Sequence, residues 1–292
     1  MQSWNKQLST SSLKAEFENS GTDFKSFHIN YSIPSMLLDM ETHVSILRAG
    51  NSPHEPHSHP EEELIIILSG KVQIIRSKQS QNVTRSSPLT SGALTYHNSN
   101  CAHTIRSVGP EPAIYICVKW NGKKLRNKVN VLSSSDFVPN YIKETNTLNS
   151  EFNIKTLFES KTEYLGKLHC HVSHVKPGAG YKSHIDFYDV MIILLDGKIE
   201  TIRKELESNS VIFYQAGESH GLKNVGTTVA QYIVFEFHGN AYNFSTRMNI
   251  HKILKFILKK ILPKKILTLF SLPVISKVST MTNAYTLELQ RV

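Results

Sequence analysis

Residues 50–76 read GNSPHEPHSHPEEELIIILSGKVQIIR, and residues 178–203 read GAGYKSHIDFYDVMIILLDGKIETIR. Each starts at a glycine, passes a polar stretch holding a histidine pair or a His/Asp pair, and enters an unbroken apolar run. Each run closes on a glycine followed by lysine. GKVQIIR (70–76) and GKIETIR (197–203) share four of seven positions. Upstream, HVSILRAG (43–50) faces HVSHVKPG (171–178) at an offset of 128, with four of eight identical, and Asp23-Phe24 faces Glu151-Phe152 at that same offset. Downstream of a shorter loop the offset becomes 117, which relates His103 to His220, Gly109 to Gly226 and Gly122 to Gly239. Collinear matches with so few gaps mark an internal duplication.

The elements inside each copy are short. THVSILRAG, ELIIILSG, KVQIIRS, AIYICVKW, VMIILLDG, KIETIRK and AQYIVFEF are rich in β-branched and aromatic residues, with glycine or polar clusters between them. This spacing predicts an all-β sandwich or barrel. Helical periodicity is absent until about residue 248. The expected organisation is an N-terminal arm (1–22), a β-domain (23–123), a polar linker (124–150), a second β-domain (151–240) and a tail (241–292).

Composition limits the function. A chain of 292 residues, 40% hydrophobic and 20% charged, is too apolar to be mostly disordered. Its net charge of +9 suggests nucleic acid until it is located. Residues 1–239 carry 24 basic and 23 acidic groups, whereas 240–292 carry nine basic groups against Glu288. The body is near neutral, so no nucleic-acid partner is expected. Within the tail, Lys252, Lys255 and Lys259 fall at i, i+3 and i+7 among Ile250, Ile253, Leu254, Ile257, Leu258 and Ile261, with Pro263 ending the pattern. That is a basic amphipathic helix. Residues 249–265 either meet an anionic membrane surface peripherally or pack on a barrel or a dimer partner. Cys101, Cys117 and Cys170 have no paired spacing, which excludes a disulfide framework and a zinc knuckle. The first twenty residues have no apolar core of a signal peptide. No stretch approaches 18 apolar residues. A cytoplasmic setting is the expectation.

The chemistry concentrates in the first copy. Gly50-x6-His57-x-His59-x3-Glu63-x6-Gly70 is followed by Gly92-x10-His103-x5-Gly109. Residues i and i+2 of a strand share a face, so His57 and His59 can converge, Glu63 has their parity, and His103 would face them from a later strand. Three imidazoles and a carboxylate suit Fe, Mn, Ni, Zn or Cu. The alternative is a solvated loop of histidines.

Both copies resemble cupin domains, so the chain resembles a two-domain bicupin, built of double-stranded β-helix (jelly-roll) barrels. The first cupin motif, G-x5-HxH-x3or4-E-x6-G, fits residues 50–70 with one extra residue before His57. The second, G-x5-P-x-G-x2-H-x3-N, fits 92–107 with Asn98 for Pro, Asn100 for Gly and Ser107 for Asn. The resemblance covers about 23–240 and implies a divalent transition metal (Fe, Mn, Ni or Zn) on His57, His59, Glu63 and His103. In the second copy Asp186 replaces the second histidine and Val190 the glutamate, beside Asp189, while Asn209-x5-Gln215-x-Gly217-x2-His220-x3-Asn224 keeps the second motif better. His184, Asp186 and His220 form either a second two-His-one-carboxylate site or a degenerate copy retained for packing. That order is also similar to the 2-oxoglutarate oxygenases, but TTVAQY (227–232) lacks their basic residue.

His43 and His171 are equivalent and read as hydrogen-bonded core residues or as barrel lining. His54 belongs to the rim, and His169 and His174 to the surface or an interface. Glu61 and Glu62 read as solvated loop acids or as partners tuning His59, and Cys101 as a buried bystander or a reactive thiol beside His103. Tyr96, Arg106, Tyr115 and Lys119 lie on segments able to reach the first cavity. The leading function is a metal-dependent enzyme on a small polar metabolite, of dioxygenase type. A sugar isomerase or epimerase is second, and a non-catalytic metabolite-binding or regulatory protein third.

Overall fold

β-Branched and aromatic runs that alternate between two packed faces make strands, and the computed structural model orders them as two barrels. It describes residues 3–77, 83–125, 130–139 and 150–239. The tail, with the basic helix expected there, lies outside the described residues, as do 126–129 and 140–149 of the linker. An N-terminal strand β1 (Trp4–Gln7) and helix α1 (Thr10–Ser20) precede the first copy. That copy comprises β2 (Phe24–Ser32), β3 (Asp39–Leu47), β4 (Glu62–Ser69), β5 (Lys71–Ser77), β6 (Val83–Arg85), β7 (Leu89–Thr90), β8 (Leu94–His97), β9 (Ala102–Ser107) and β10 (Ala113–Asn121). After β11 (Ser135–Phe137) the second copy follows with β12 (Phe152–Ser160), β13 (Lys167–Val175), β14 (Gly180–Ile185), β15 (Asp189–Asp196), β16 (Lys198–Thr201), β17 (Lys204–Glu207), β18 (Ser210–Tyr214), β19 (Ser219–Asn224) and β20 (Ala230–His238). β2 and β3 start 128 residues before β12 and β13, β4 starts 127 before β15, and β9 and β10 start 117 before β19 and β20. The strand bounds thus follow the offsets of the sequence repeat.

Each barrel pairs a large sheet with a small one. The first has β11-β8-β4-β10-β3-β2 against β5, β6, β7 and β9; the second has β1-β18-β15-β20-β13-β12 against β14-β19-β16-β17. The two copies exchange edges. β1 pairs with β18 of the second barrel, Trp4 opposite Phe213, while β11 pairs with β8 of the first, Ser135 opposite Tyr96. The large sheets also share a core, into which the first barrel places Val44, Leu64, Ile116, Val118 and Trp120 and the second Cys170, Met191, Phe213, Phe235 and Phe237. Both faces of β4 are therefore buried, one in this shared core and one in the barrel's own core of Ile65, Ile67, Val72, Ile74 and Ile105. That is why ELIIILS reads as a continuous apolar run rather than an alternating one.

Two buried acids tie the barrels reciprocally. Glu62 Oε1 accepts from Tyr96 Oη (2.9 Å) and the Glu163 amide (2.6 Å), and Oε2 accepts from Trp120 Nε1 and Thr162 Oγ1, both at 2.7 Å. Its counterpart Asp189 accepts from the Ser35 amide (2.7 Å) and the Ala216 amide (2.9 Å). Each acid reaches a loop that enters the other copy. Glu62 is therefore no solvated loop acid.

The helix α1 was not signalled by periodicity. Its N-terminus is capped by Ser9, whose Oγ accepts from the Ser12 amide, and its end by Gly21 at φ +65°. Phe17 is its one fully buried side chain, set in the shared core. A single anchor leaves no repeating apolar stripe to read.

Candidate metal centre

The first-motif segment carries Pro53, Pro56 and Pro60, which cannot donate to a ladder. It therefore forms no regular strand: beyond the bonds that Gly50 and Asn51 exchange with Ser107, it joins β9 through an isolated bridge in which the His57 amide donates to His103 O (3.3 Å) and the His103 amide to His57 O (3.1 Å). The second copy, without those prolines, forms the full strand β14, with His184 opposite His220. Gly70 closes the first motif at φ +83°, where a Cβ would lie 2.7 Å from Ala113 Cα; Gly197 repeats this against Ala230 at φ +89°. Only glycine satisfies both demands.

Within the first barrel, Glu63 Oε2 lies 3.2 Å from His59 Nε2 and 2.6 Å from His103 Nε2. His103 Nδ1 is 2.8 Å from Cys101 O, which fixes this nitrogen as the donor and turns Nε2 inward. His59 Nδ1 stands 3.2 Å from Glu61 Oε2, so the outer nitrogen of each ring faces an oxygen. Ligands on one ion at about 2.0–2.2 Å lie about 3 Å apart when adjacent. The donor set of two imidazoles and one carboxylate fits a divalent transition metal on separation, chemistry and orientation.

His57 stands outside this group. Its Nδ1 is 3.0 Å from His54 Nδ1, and its ring centre is 5.6 Å from that of His59 and 6.5 Å from that of His103. The bulged, proline-rich segment places it at the rim beside His54, so the expected fourth ligand is not gathered with the other three.

The electrostatics follow burial and pairing. Burial alone would raise the pKa of Glu63, but hydrogen bonds from His103 and His59 hold it well below the usual carboxylate range. Burial lowers that of His103, yet contacts with Cys101 and Glu63 raise it to about 9. Burial, reinforced by Glu63, pushes the Cys117 thiol up. That thiol donates to Glu63 Oε1, and Lys119 Nζ lies 3.9 Å from the same oxygen.

His97 is a site residue that sequence reasoning missed. It lies directly opposite Glu63 in the β4–β8 pair, is fully buried, and stacks on His103 with ring centres 3.7 Å apart and planes at 7°. The parity of β8 was the available signal, since Leu94 and Tyr96 face the shared core and leave Thr95 and His97 inward. Cys101 also belongs here, its donor atom within 4.8 Å of those of His97 and His103.

Of the four residues on segments able to reach the cavity, Lys119 and Tyr115 point into the first barrel. Tyr96 turns away to Glu62. Arg106 alternates away from His103 and, with Gly50, Gln73 and Arg85, lines an outer groove of about 400 Å³. His43 shares the inward face of β3 with Leu47, and His171 that of β13 with Val175, so both line their barrels. His174 is buried on the opposite face of β13.

In the second barrel, His184 Nε2 and His220 Nε2 each lie 3.3 Å from Asp186 Oδ2. Their Nδ1 atoms are held by the carbonyls of Lys182 (3.2 Å) and Glu218 (3.1 Å), two residues back as in His103. Tyr214 stacks on His220 at 3.9 Å, as His97 does on His103. The three side chains are gathered within ligand distance of one another, with His184 exposed and His220 buried.

Residues 43–119 match the Cupin domain family. No curated protein sequence matches the chain. Similar solved folds include a variant of salicylate 1,2-dioxygenase from Pseudoaminobacter salicylatoxidans, with TM-score 0.59 at 10% identity over 87% of this chain and 86% of that one. AerE from Microcystis aeruginosa gives TM-score 0.51 at 16% identity over 73% and 96%. A Cupin 2 conserved barrel domain protein from Leptotrichia buccalis gives 0.50 at 12% over 76% and 94%. At these identities the likeness is one of fold.

Proposed function

Because the chain has the cupin fold and residues 43–119 are a cupin domain, we propose that its first barrel is a metal-dependent enzyme centre that oxidises a small polar metabolite with dioxygen. The observation that carries this reading is the two-His-one-carboxylate group His59, Glu63 and His103, the donor set of non-haem iron oxygenases, which leaves coordination positions open. The metal, when bound, supplies Lewis acidity toward a substrate oxygen and, as iron, a place for dioxygen to react. The protein does the rest. Cys101 O orients the His103 imidazole, and Glu61 places a carboxylate 3.2 Å from His59 Nδ1. Ile65, Ile67, Val72, Ile74 and Ile105 form a dry floor beneath them. Lys119, whose charge is reinforced by Glu63 against the cost of burial, offers an inward cation to an anionic or hydroxylated substrate. His57, released from His54 by side-chain rotation, is proposed as the fourth donor.

The test is anaerobic loading of the full chain with Fe²⁺, Mn²⁺ or Zn²⁺, followed by oxygen-uptake measurements over a panel of small hydroxylated acids. Iron-dependent uptake that disappears in Glu63→Gln is the expected result. Turnover of a sugar by the zinc- or manganese-loaded chain without oxygen uptake would replace the oxygenase with the isomerase. Ligand binding without turnover would leave a non-catalytic binding protein.

A further inference from the structure

The second barrel holds another group of metal-ligating side chains, from strand segments outside both motif stretches of the sequence. His169 and His171 lie on β13, and Glu236 sits directly opposite His169 on β20. All three share the inward face that carries Val175 and Tyr232. His169 Nε2 and His171 Nδ1 are 3.1 Å apart, and a ligand atom from each of the three residues lies within 4.8 Å of the others. From these contacts we propose that His169, His171 and Glu236 bind a divalent transition metal ion of the zinc or cobalt type.

Three independent features support the assignment. First, the outer nitrogen of His169 is held by a carboxylate, with Nδ1 2.8 Å from Glu159 Oε2, the arrangement that aims the other ring nitrogen at an ion. Second, Glu236 Oε2 is gripped 2.8 Å away by His238 Nε2, which orients the carboxylate and supplies a neighbouring imidazole. Third, the duplicated copies differ here in a compensated way. The first barrel places its buried carboxylate, Glu63, on β4 opposite Lys119 of β10. At the corresponding pair the second barrel has Val190 opposite Glu236. The carboxylate has thus moved one strand across, in register, and a cation has gone. In the same change Glu41 of the first copy is replaced by His169, which adds an imidazole beside the relocated acid. Two neutral imidazoles and a carboxylate suit zinc, cobalt or nickel rather than calcium or magnesium. Three protein ligands leave a position open for water or a small ligand. The assignment does not rest on the reading of the first barrel.

Crystals of the full chain soaked in zinc chloride, with diffraction recorded on either side of the zinc absorption edge, test this directly. An anomalous peak bonded to His169 Nε2, His171 Nδ1 and the Glu236 carboxylate is expected. No peak at this group, whatever the other groups hold, overturns the proposal. In solution, equilibrium dialysis with metal analysis should find one equivalent of zinc fewer in the folded variant His169→Ala/Glu236→Gln than in the native chain. Unchanged stoichiometry in that variant also overturns it. Should the variant not fold, the diffraction result on the native chain decides alone.

Discussion

At the scale of single residues, the proposed metal centre makes binding depend on pH through Glu63 and His103. In the metal-free chain, the lowered pKa of Glu63 stabilises the fold above its ordinary value of 4.5 and fades as pH falls below it. The raised pKa of His103 stabilises the fold below 6.5 and fades as pH rises through about 9. The pair therefore contributes fully between 4.5 and 6.5. A ligating His103 must give up this proton, so metal affinity should rise about tenfold per pH unit from pH 7 toward 9, with release of about one proton. Competition titrations with a chelating dye at several pH values measure this, and a flat profile would contradict it. Asn100 makes a second residue-scale case. It replaces the motif glycine at φ +61°, a left-handed conformation that asparagine tolerates and alanine does not. Asn100→Ala should cost about 1–2 kcal/mol in denaturant unfolding, and Asn100→Gly little. Sequence showed the substitution, and the backbone angle explains why it is permitted.

At the scale of elements, strand parity decides which side chains meet the site. His103 and Ile105 face inward on β9, so Arg106, three residues beyond His103, faces outward. That was legible from spacing alone. The direction of Glu62 was not, because adjacent acids in PEEE look alike until the strand begins at Glu62 and sends Glu62 and Glu63 to opposite faces. Glu62 accepts four hydrogen bonds, two on each oxygen. In Glu62→Gln, the amide NH₂ would face an N–H that can only donate wherever it lies, the Glu163 amide or Trp120 Nε1, so a loss of about 1–3 kcal/mol is expected. Chemical denaturation measures the loss, and a neutral result would show that the clasp adds nothing to stability. His57 shows the limit of parity reasoning. The HxH spacing gives it and His59 one face only in a regular strand, and three prolines reduce that strand to an isolated bridge.

At the scale of the whole molecule, the shared core makes the barrels interdependent. Phe213, Phe235 and Phe237 of one large sheet are fully buried in a cluster with Val118 and Trp120 of the other. Phe235→Ala should therefore cost about 3–5 kcal/mol. Residues 1–139 expressed alone should self-associate or bind a hydrophobic dye, because they expose that face. Light scattering of the fragment checks this, and a stable dye-silent monomer would refute it. By itself the sequence determined the duplication, the all-β class, the barrel fold and the candidate ligands His59, Glu63 and His103, since these depend on local periodicity, glycine positions and fixed spacing. Tertiary structure alone decided that the barrels exchange β1 and β11, that Glu62 and Asp189 clasp opposite loops, and that His97, His169 and Glu236 join donor groups. Those contacts join residues far apart in the chain, and side chains on different strands meet only when register and sheet packing bring them together.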